Sequence, residues 1–465
     1  MFTSAALDRG GYCHLSGAFP VSKQFLSDLV HYRTYAKYIP ELHRRENKKE
    51  TIDRNLQMHL DKFPQFTDEI VQTYQEVYAG RVVPSMRAMQ FSGEPIRRRA
   101  QRQYNCCYLP IESFLDFRDL FMMSMSGVGV GYSIREVHIY KLPKIQRGED
   151  GQIFVIPDSA EGWCESLLLL LNNPQVKFDY SQIRKAGSPL STGGQASGPR
   201  ALTKMHNKVR DVLHSAEGRQ LSSIEVHRVC CLIAEAVVVG GVRRAAMLSI
   251  FDPGDSDMLT AKTGNWTETY PEFARANNSV AVFKNGRESL TAAGSVIDAC
   301  FKGGWSEPGL LWTNNEEEYG WNACSEVSLM SRNVCNLTEV NAAVCSTPEE
   351  FFNAVRSAAV IGTLQASYTD FVGVQKYWKE VSEREALLGV SITGQSEAQS
   401  LLTDDLLRRG ANLSVDVNKE WSKRIGINRA ARITTVKPSG TASSWLGTTA
   451  GVHAGHELHY LRRVR

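Results

Sequence analysis

The chain has 465 residues, of which 42% are apolar and 22% charged, with a net charge of +3. This composition is typical of a soluble globular protein and excludes a disordered, collagen-like or coiled-coil chain. The longest apolar run, Leu167–Leu171, is far too short to span a bilayer, and residues 1–11 lack the apolar core of a signal peptide, so we expect a cytoplasmic protein. The nearly balanced charge gives no general reason to expect a nucleic-acid polymer or a membrane as partner.

The first eighty residues carry helical patterns. Apolar residues recur at helical spacing from Ile52 to Phe63. Thr67, followed by two acidic residues, is the predicted N-cap of a second helix, and Gly80 is its predicted end. The sequence therefore predicts an N-terminal helical lobe over residues 1–80.

Strand and helix patterns alternate over the remaining residues. Strands are predicted over Val128–Ile134 and Ser279–Phe283, and a helix is predicted near residues 202–212. Capping signals predict two further helices, one starting at Ser222 and one at Thr347. Because no proline-rich or serine-rich linker divides this region, we expect one α/β domain over residues 81–465, with a mainly parallel sheet or barrel.

An amide, a thiol and a carboxylate are spaced two residues apart in the segment Asn322, Cys324 and Glu326. In an extended conformation, all three side chains would point the same way. They could then act together on one substrate, but an isolated pattern of this kind more often marks a small core residue between solvated neighbours. Taken alone, the pattern is a weak signal.

Ten cysteines are too few for a disulfide scaffold in a chain of this length. Cys335 follows Cys324 by eleven residues, and a vicinal pair, Cys106 and Cys107, lies far upstream. A fold that brought these thiols together would hold a redox-active set. Zinc binding is the competing interpretation, but no C-x-x-C pair is present to support it.

Two loops have residues suited to phosphate. Residues 434–436 resemble a strand that runs into Lys437-Pro438-Ser439-Gly440-Thr441-Ala442-Ser443, where hydroxyls and backbone N–H groups could hold an anion. An ordinary strand-to-helix turn is an equal alternative. The second loop is Gly240-Gly241-Val242-Arg243-Arg244, whose guanidinium groups suit phosphate or base edges but could also end a helix in solvent. By contrast, Gly127-Val128-Gly129-Val130-Gly131 lacks the dinucleotide-binding spacing and predicts a strand packed closely against another element.

Taken together, these segments resemble the ribonucleotide reductases, most closely the adenosylcobalamin-dependent class II ribonucleoside-triphosphate reductases. The matching segments occur in order over most of the chain: 31–35, 84–87, 104–108, 127–132, 193–199, 240–244, 276–279, 307–309, 322–326, 335–337, 437–441 and 460–465.

The resemblance implies a ten-stranded α/β barrel of two five-stranded halves, with a finger loop that carries a radical cysteine into its centre. Cys324 matches that cysteine, which as a thiyl radical would abstract the 3′-hydrogen of the substrate. Glu326 would take the proton of the 3′-hydroxyl, and Asn322 would hold the ribose hydroxyls. Cys106 and Cys335 match the reducing pair that ends as a disulfide. Cys106 is preferred to its neighbour because it directly follows the asparagine, and alternation would point the next thiol away from the interior.

The resemblance also implies binding residues and partners. The turn Pro438, Ser439, Gly440, Thr441, Ala442 and Ser443 matches the substrate-phosphate loop, with Ser85 a second candidate. The residues Gly241, Val242, Arg243 and Arg244 match the loop that links a deoxynucleotide effector to the choice of substrate. No metal site is expected. The implied cofactor is adenosylcobalamin, and the implied partners are a ribonucleotide, an effector, an external thioredoxin-like dithiol and, more weakly, a second copy of the chain.

The sequence departs from the family pattern around the radical cysteine, where Ala323 replaces the usual proline and Ser325 the usual glycine. The sequence stops at Arg465 without the usual C-terminal extension and its C-x-x-C, which predicts a short, split or truncated form. Two alternatives to the class II enzyme stay open. One is a class I type catalytic subunit that needs a separate radical-generating protein, and the other is an inactive nucleotide-binding regulator.

Overall fold

The computed structural model describes residues 6–7, 13–14, 23–189, 195–237, 246–284, 286–314, 319–451 and 453. Its helices are α1 (Lys23–Thr34), α2 (Lys48–Lys62), α3 (Thr67–Tyr78), α4 (Met86–Phe91), α5 (Glu94–Arg98), α6 (Phe114–Met125), α7 (Glu136–Ile139), α8 (Ala160–Asn172), α9 (Arg200–Ser215), α10 (Ser223–Val237), α11 (Ser256–Leu259), α12 (Trp266–Thr269), α13 (Arg287–Gly303), α14 (Pro348–Ala366), α15 (Tyr377–Glu385), α16 (Asp404–Ile425) and α17 (Gly440–Leu446).

The strands alternate with these helices along most of the chain. They are β1 (Ala6–Leu7), β2 (Cys13–His14), β3 (Tyr38–Ile39), β4 (Arg44–Arg45), β5 (Val82–Val83), β6 (Cys106–Pro110), β7 (Gly129–Ser133), β8 (Ile153–Val155), β9 (Lys177–Asp179), β10 (Met247–Phe251), β11 (Ala276–Phe283), β12 (Gly309–Thr313), β13 (Tyr319–Trp321), β14 (Ser328–Met330), β15 (Asn333–Cys335), β16 (Thr338–Asn341) and β17 (Val390–Thr393).

A six-stranded sheet in the order β12-β11-β10-β7-β6-β15 forms the larger layer. Its first five strands run parallel, and β15 joins antiparallel to β6. One face packs against α6, α8, α9 and α10 in the largest apolar core. The other face is lined by a smaller cluster that includes Cys106, Tyr108, Leu248, Ile250 and Cys335. The predicted α/β class with a mainly parallel sheet is confirmed.

A second sheet, β17-β16-β5, has its own core. This core joins apolar residues of α2 and α3, such as Ile52 and Tyr74, to residues of α14 such as Val355 and Leu364. The N-terminal helices therefore share a core with helices from the second half of the chain. The division at residue 80 stays a prediction.

The predicted helices are present, with one change at a boundary. Glu225 accepts hydrogen bonds from the Ser222 backbone and hydroxyl, and the side chain of Thr347 caps α14, as expected. Thr67 is wrong as an N-cap, because a 3-10 turn over 64–66 leads directly into α3 and makes Thr67 its first residue. Gly80, at φ +72°, follows the end of that helix as predicted.

The predicted strands differ in extent. The strand predicted over 128–134 is β7, and the one predicted over 279–283 is the longer β11. Residues 434–436 form only a single bridge, between Thr434 and Val390, so the strand predicted there is wrong. Among the described residues, no helix combines the length and apolar character needed to cross a bilayer.

Candidate active site

A hairpin carries the segment 322–326 to the inner face of the large sheet. Strands β13 and β14 pair antiparallel, with Trp321 opposite Ser328. The sheet approaches this hairpin closely, because a Cβ on Gly131 of β7 would lie 1.8 Å from the Trp321 carbonyl oxygen. Gly320 likewise lies against the Tyr108 ring, where a Cβ would come within 2.0 Å. The glycines of β7 therefore serve close packing, as the sequence predicted.

The loop between β13 and β14 reverses direction, so residues 322–326 do not adopt the extended conformation in which their three polar side chains would point the same way. The Asn322 backbone N–H donates to the Val327 carbonyl at 3.1 Å, and the Val327 N–H donates to Asn322 Oδ1 at 3.0 Å. Ser325 takes the left-handed conformation, at φ +61°, that the turn requires. The hairpin imposes this turn because the two strands must meet within a few residues.

Asn322 is fully buried, and the oxygen and nitrogen of its side-chain amide differ in their hydrogen bonding. Its oxygen closes the loop, as described above, while its Nδ2 has no hydrogen-bond partner among the described residues. A buried amide donor without a partner is costly unless a ligand satisfies it. Asn322 can therefore offer a donor, but its acceptor is already used.

Cys106 and Cys335 lie directly opposite each other on the antiparallel strands β6 and β15. Neither cysteine forms a disulfide in this structure, and both are buried. Directly opposed residues of an antiparallel pair are near the separation that a disulfide needs. Cys107 lies on the other face of β6, within the large core. The two strands can therefore hold Cys106 and Cys335 as either a dithiol or a disulfide.

Cys324, at the tip of the hairpin, is exposed and reaches the same cluster. Its thiol is in hydrogen-bond contact with Cys106, and this contact together with partial desolvation raises the pKa of Cys324. Burial, followed by contact with Cys106, raises the pKa of Cys335. Three thiols therefore meet at one point, with Cys106 in the middle and Cys324 facing outward.

Glu326 and Lys437 form an ion pair beside the thiols, with 2.8 Å between Lys437 Nζ and Glu326 Oε1. Both side chains are nearly buried, at 9% exposure for the lysine and 11% for the glutamate. Burial alone would lower the pKa of Lys437, but Cys106, Cys335 and Glu326 outweigh it and raise that pKa. Glu326 Oε2 has no hydrogen-bond partner among the described residues.

The sequence indicated Lys437 only as the first residue of the candidate phosphate loop and did not pair it with Glu326. The local sequence gives no signal for this pairing, because the apolar Val436 is exposed in the structure whereas the charged Lys437 beside it is buried. A lysine on the buried face of an extended segment is rare unless an acidic group pairs with it. The burial of Lys437 and its pairing with Glu326 become visible only in the folded structure.

The loop Pro438–Ser443 follows Lys437 directly, and most of its hydroxyls are engaged with protein. Ser439, at φ +62°, donates to Glu339 Oε2, and Ser443 donates to the Gly440 carbonyl at 3.1 Å. Burial raises the pKa of Glu339, against the opposing effect of the Ser439 hydrogen bond. Ala442 is buried, whereas Thr441 is exposed. The Thr441 hydroxyl and backbone N–H groups are thus the donors left for an anion.

Ser85 lies next to the start of β6. Its hydroxyl contacts Asn105 Oδ1 at 2.6 Å and the Gln103 carbonyl at 2.9 Å, and it caps α4. Ser85 thus supports the residue before Cys106. The loop residues Gly241, Val242, Arg243 and Arg244 lie outside the described residues. In the described part of the chain, no three histidine, cysteine or acidic side chains form a group that could hold a metal.

Comparison with solved structures identifies the class of protein whose fold this chain shares. The structure superposes on a crystal structure of a B12-dependent class II ribonucleotide reductase with a TM-score of 0.80 and 23% identity, over 93% of this chain and 75% of the other. A class Id ribonucleotide reductase alpha subunit of Actinobacillus ureae matches with a TM-score of 0.52 and 13% identity, over 91% and 74%. The chain therefore has the α/β fold of the class II ribonucleotide reductases.

Sequence comparison points to particular relatives. An adenosylcobalamin-dependent ribonucleoside-triphosphate reductase of Euglena gracilis is 29% identical over 431 residues, or 84% of this chain and 57% of the relative. An enzyme of the same name from Lactobacillus delbrueckii subsp. bulgaricus is 26% identical over 557 residues, or 93% and 74%. The chain thus spans little more than half the length of the Euglena relative. No family model matches. The resemblance to class II ribonucleotide reductases expected from the sequence is confirmed.

Proposed function

We propose that this chain reduces ribonucleotides to 2′-deoxyribonucleotides, with ribonucleoside triphosphates as the preferred substrates. The observation that carries the proposal is the meeting of Cys324, Cys106 and Cys335 beside Glu326. An exposed thiol above a buried, directly opposed thiol pair suits a radical step followed by a two-electron reduction. The relatives' names support triphosphates as the substrate class.

Each residue of the candidate site has a separate role in the proposed reaction. Cys324, as a thiyl radical, takes the 3′-hydrogen of the ribose, and Glu326 accepts the 3′-hydroxyl proton at its unpartnered Oε2. Asn322 Nδ2 donates to a ribose hydroxyl. The 2′-hydroxyl leaves as water, Cys106 and Cys335 supply two electrons and two protons and become a disulfide, and the 3′-hydrogen returns from Cys324 to the sugar.

Adenosylcobalamin is the proposed cofactor, and when bound it supplies the one-electron chemistry that converts a thiol into a radical. The donor set fits this requirement, because Cys324 is exposed while the reducing thiols lie buried beneath it. Cys324 is therefore the residue that would face the cofactor. The sheet shields the reducing pair from unproductive oxidation.

The proposal includes several partners. Pro438–Ser443 would bind the substrate phosphates through the Thr441 hydroxyl and backbone N–H groups, with Ser85 supporting the neighbouring strand. Gly241, Val242, Arg243 and Arg244 would link a deoxynucleotide effector to the choice of base. An external thioredoxin-like dithiol would re-reduce the Cys106–Cys335 disulfide, two copies of the chain would form a dimer, and the reaction would take place in the cytoplasm.

An anaerobic assay with the full chain tests the proposal. The reaction contains a ribonucleoside triphosphate, an effector deoxynucleotide, adenosylcobalamin and dithiothreitol, and the deoxynucleotide is measured by chromatography. We expect product that requires adenosylcobalamin, disappears in Cys324→Ser and persists in Cys300→Ser, since Cys300 lies on α13 outside the site. Product that appeared without adenosylcobalamin, or persisted in Cys324→Ser, would contradict the proposal. Intact nucleotide binding without product would favour a regulator.

A further inference from the structure

The ion pair between Lys437 and Glu326 joins two separate parts of the fold. Lys437 follows the segment that bridges to β17 through Thr434, whereas Glu326 lies in the hairpin loop between β13 and β14. The pair therefore connects the smaller sheet to the loop that carries Cys324. A contact of this kind fixes where the loop sits relative to the buried thiols.

Because both side chains are nearly buried, each charge needs the other as a partner. A charge with little exposure to water is stable only when an opposite charge or hydrogen bonds compensate for its lost hydration. Lys437 can satisfy that need at Glu326 Oε1, 2.8 Å away. The carboxylate is then held by one oxygen, which leaves Oε2 for a ligand.

We propose that Lys437 is a positioning residue of this site, which orients the Glu326 carboxylate and provides the positive charge beside the three thiols. The inference rests on the proposed function for the meaning of Glu326 as a base. Its geometric part, the nearly buried ion pair between Lys437 and Glu326 beside the three thiols, stands independently. Lys437 acts through Glu326 and the thiols.

The two charges of the pair act on Cys324 with opposite signs. The Lys437 ammonium lowers the pKa of the Cys324 thiol, whereas the Glu326 carboxylate raises it. Removing one charge should therefore change the reactivity of Cys324 in one direction, and removing the other should change it in the opposite direction. If the substitutions merely loosened the loop, the reactivity of Cys324 would change in the same direction in both variants.

The deciding experiment is alkylation of Cys324 by iodoacetamide across a pH series, measured by peptide mass spectrometry on the reduced full chain. Only the thiolate reacts, so the rate follows the ionised fraction. We expect Lys437→Met to slow the reaction roughly threefold or more at mildly alkaline pH, and Glu326→Gln to accelerate it by a similar factor. Lys437→Arg keeps the charge and should remain within about twofold of the unmodified chain.

A matched control removes a different partly buried lysine–glutamate pair. Lys262 Nζ lies 2.7 Å from Glu307 Oε2, with side-chain exposures of 10% and 25%, and neither residue belongs to the thiol cluster. Lys262→Met should lose stability but leave the alkylation profile of Cys324 unchanged. This control separates an effect of this particular lysine from the general cost of breaking a buried ion pair.

Turnover supplies the second measurement. If Lys437 orients the base, Lys437→Met should lower kcat by about tenfold or more while KM changes little, with partial rescue in Lys437→Arg. Overlapping alkylation profiles for Lys437→Met and the unmodified chain, or shifts of the same sign in Lys437→Met and Glu326→Gln, would overturn the inference. Absence of nucleotide reduction in the unmodified chain would instead overturn the proposed function, because alkylation needs neither cofactor nor nucleotide.

Discussion

At the scale of single residues, the candidate site contains buried polar side chains for which the described part of the chain supplies only some of the possible hydrogen-bond partners. Asn322 Nδ2 and Glu326 Oε2 have no hydrogen-bond partner among the described residues, although both residues have little or no exposure. Buried polar groups without partners lower stability unless a ligand completes them. The sequence predicted both residues as site residues, but it could not show which atom of each side chain lacks such a partner in the part of the chain that the structure describes.

Ser325 offers a test at this scale, because it occupies a left-handed conformation at φ +61°. That conformation costs a non-glycine residue about 1–2 kcal/mol, whereas glycine adopts it freely and loses about 0.5–1 kcal/mol of that gain to its more flexible unfolded chain. We expect Ser325→Gly to raise the free energy of unfolding by up to about 1 kcal/mol. Urea denaturation measures the change.

The matched control is Ser400→Gly, at an exposed serine that does not have a positive φ. There the extra freedom of glycine should lower stability slightly. A loss of stability in Ser325→Gly equal to that in the control would contradict the account of the turn.

At the scale of elements, the hairpin β13–β14 is positioned by glycines on the strands beneath it. A Cβ on Gly131 would meet the Trp321 carbonyl oxygen at 1.8 Å, so neither strand can stay in place if a side chain is added. The close approach brings Cys324 to Cys106. The candidate site thus requires a residue without a side chain at Gly131 as well as the polar residues of the loop.

We therefore expect Gly131→Ala to reduce both stability and nucleotide reduction. Overpacking of this kind costs about 1–3 kcal/mol, measured as a fall in the free energy of unfolding. Gly254→Ala is the control, since a Cβ there has nothing within 4 Å and the residue does not have a positive φ. Equal stability and activity in the two variants would show that the close approach is unimportant.

The sequence predicted elements better than it predicted how they meet. Helices such as α9, α10 and α14 followed from apolar spacing and capping residues, because those signals are local. The turn at Ser325 was missed, since it depends on the pairing of β13 with β14. Lys437 was missed for a similar reason, because its partner lies 111 positions away (437 − 326).

At the scale of the whole molecule, two large cores support a site on the inner face of the larger sheet. Several histidines lie buried within these cores, away from the site. His206 is stacked on Phe178 at 4.2 Å between ring centroids, and its nitrogens contact Ser166 and Tyr180. Desolvation lowers the pKa of His206 to about 3, and does the same for His59 and His227.

These histidines should make the protein sensitive to acid. Because their pKa values are lower in the folded chain than in the unfolded chain, near 6.5, the unfolded chain binds more protons below that pH. The stability they confer is present above pH 6.5 and is lost as the pH falls toward about 3. Each such histidine contributes a slope that approaches about 1.4 kcal/mol per pH unit once the pH is well below 6.5.

Urea unfolding at several pH values between neutral and about 5 measures this slope. At the acid end of this range, His206→Gln should reduce the slope by about 1.4 kcal/mol per pH unit, because one titrating group is removed. An unchanged slope in His206→Gln would show that this histidine is not held neutral by burial.

The central claim is that Cys106 and Cys335 are the thiols oxidised when a ribonucleotide is reduced. Its most direct test is a single anaerobic turnover with nucleotide, effector and adenosylcobalamin but no external dithiol, followed by acid quench, alkylation of free thiols and peptide mass spectrometry. We predict a Cys106–Cys335 disulfide formed in the same amount as the deoxynucleotide and absent from Cys324→Ser. Deoxynucleotide formed while both thiols stay reduced, or a disulfide that contains Cys107 instead, would contradict the account.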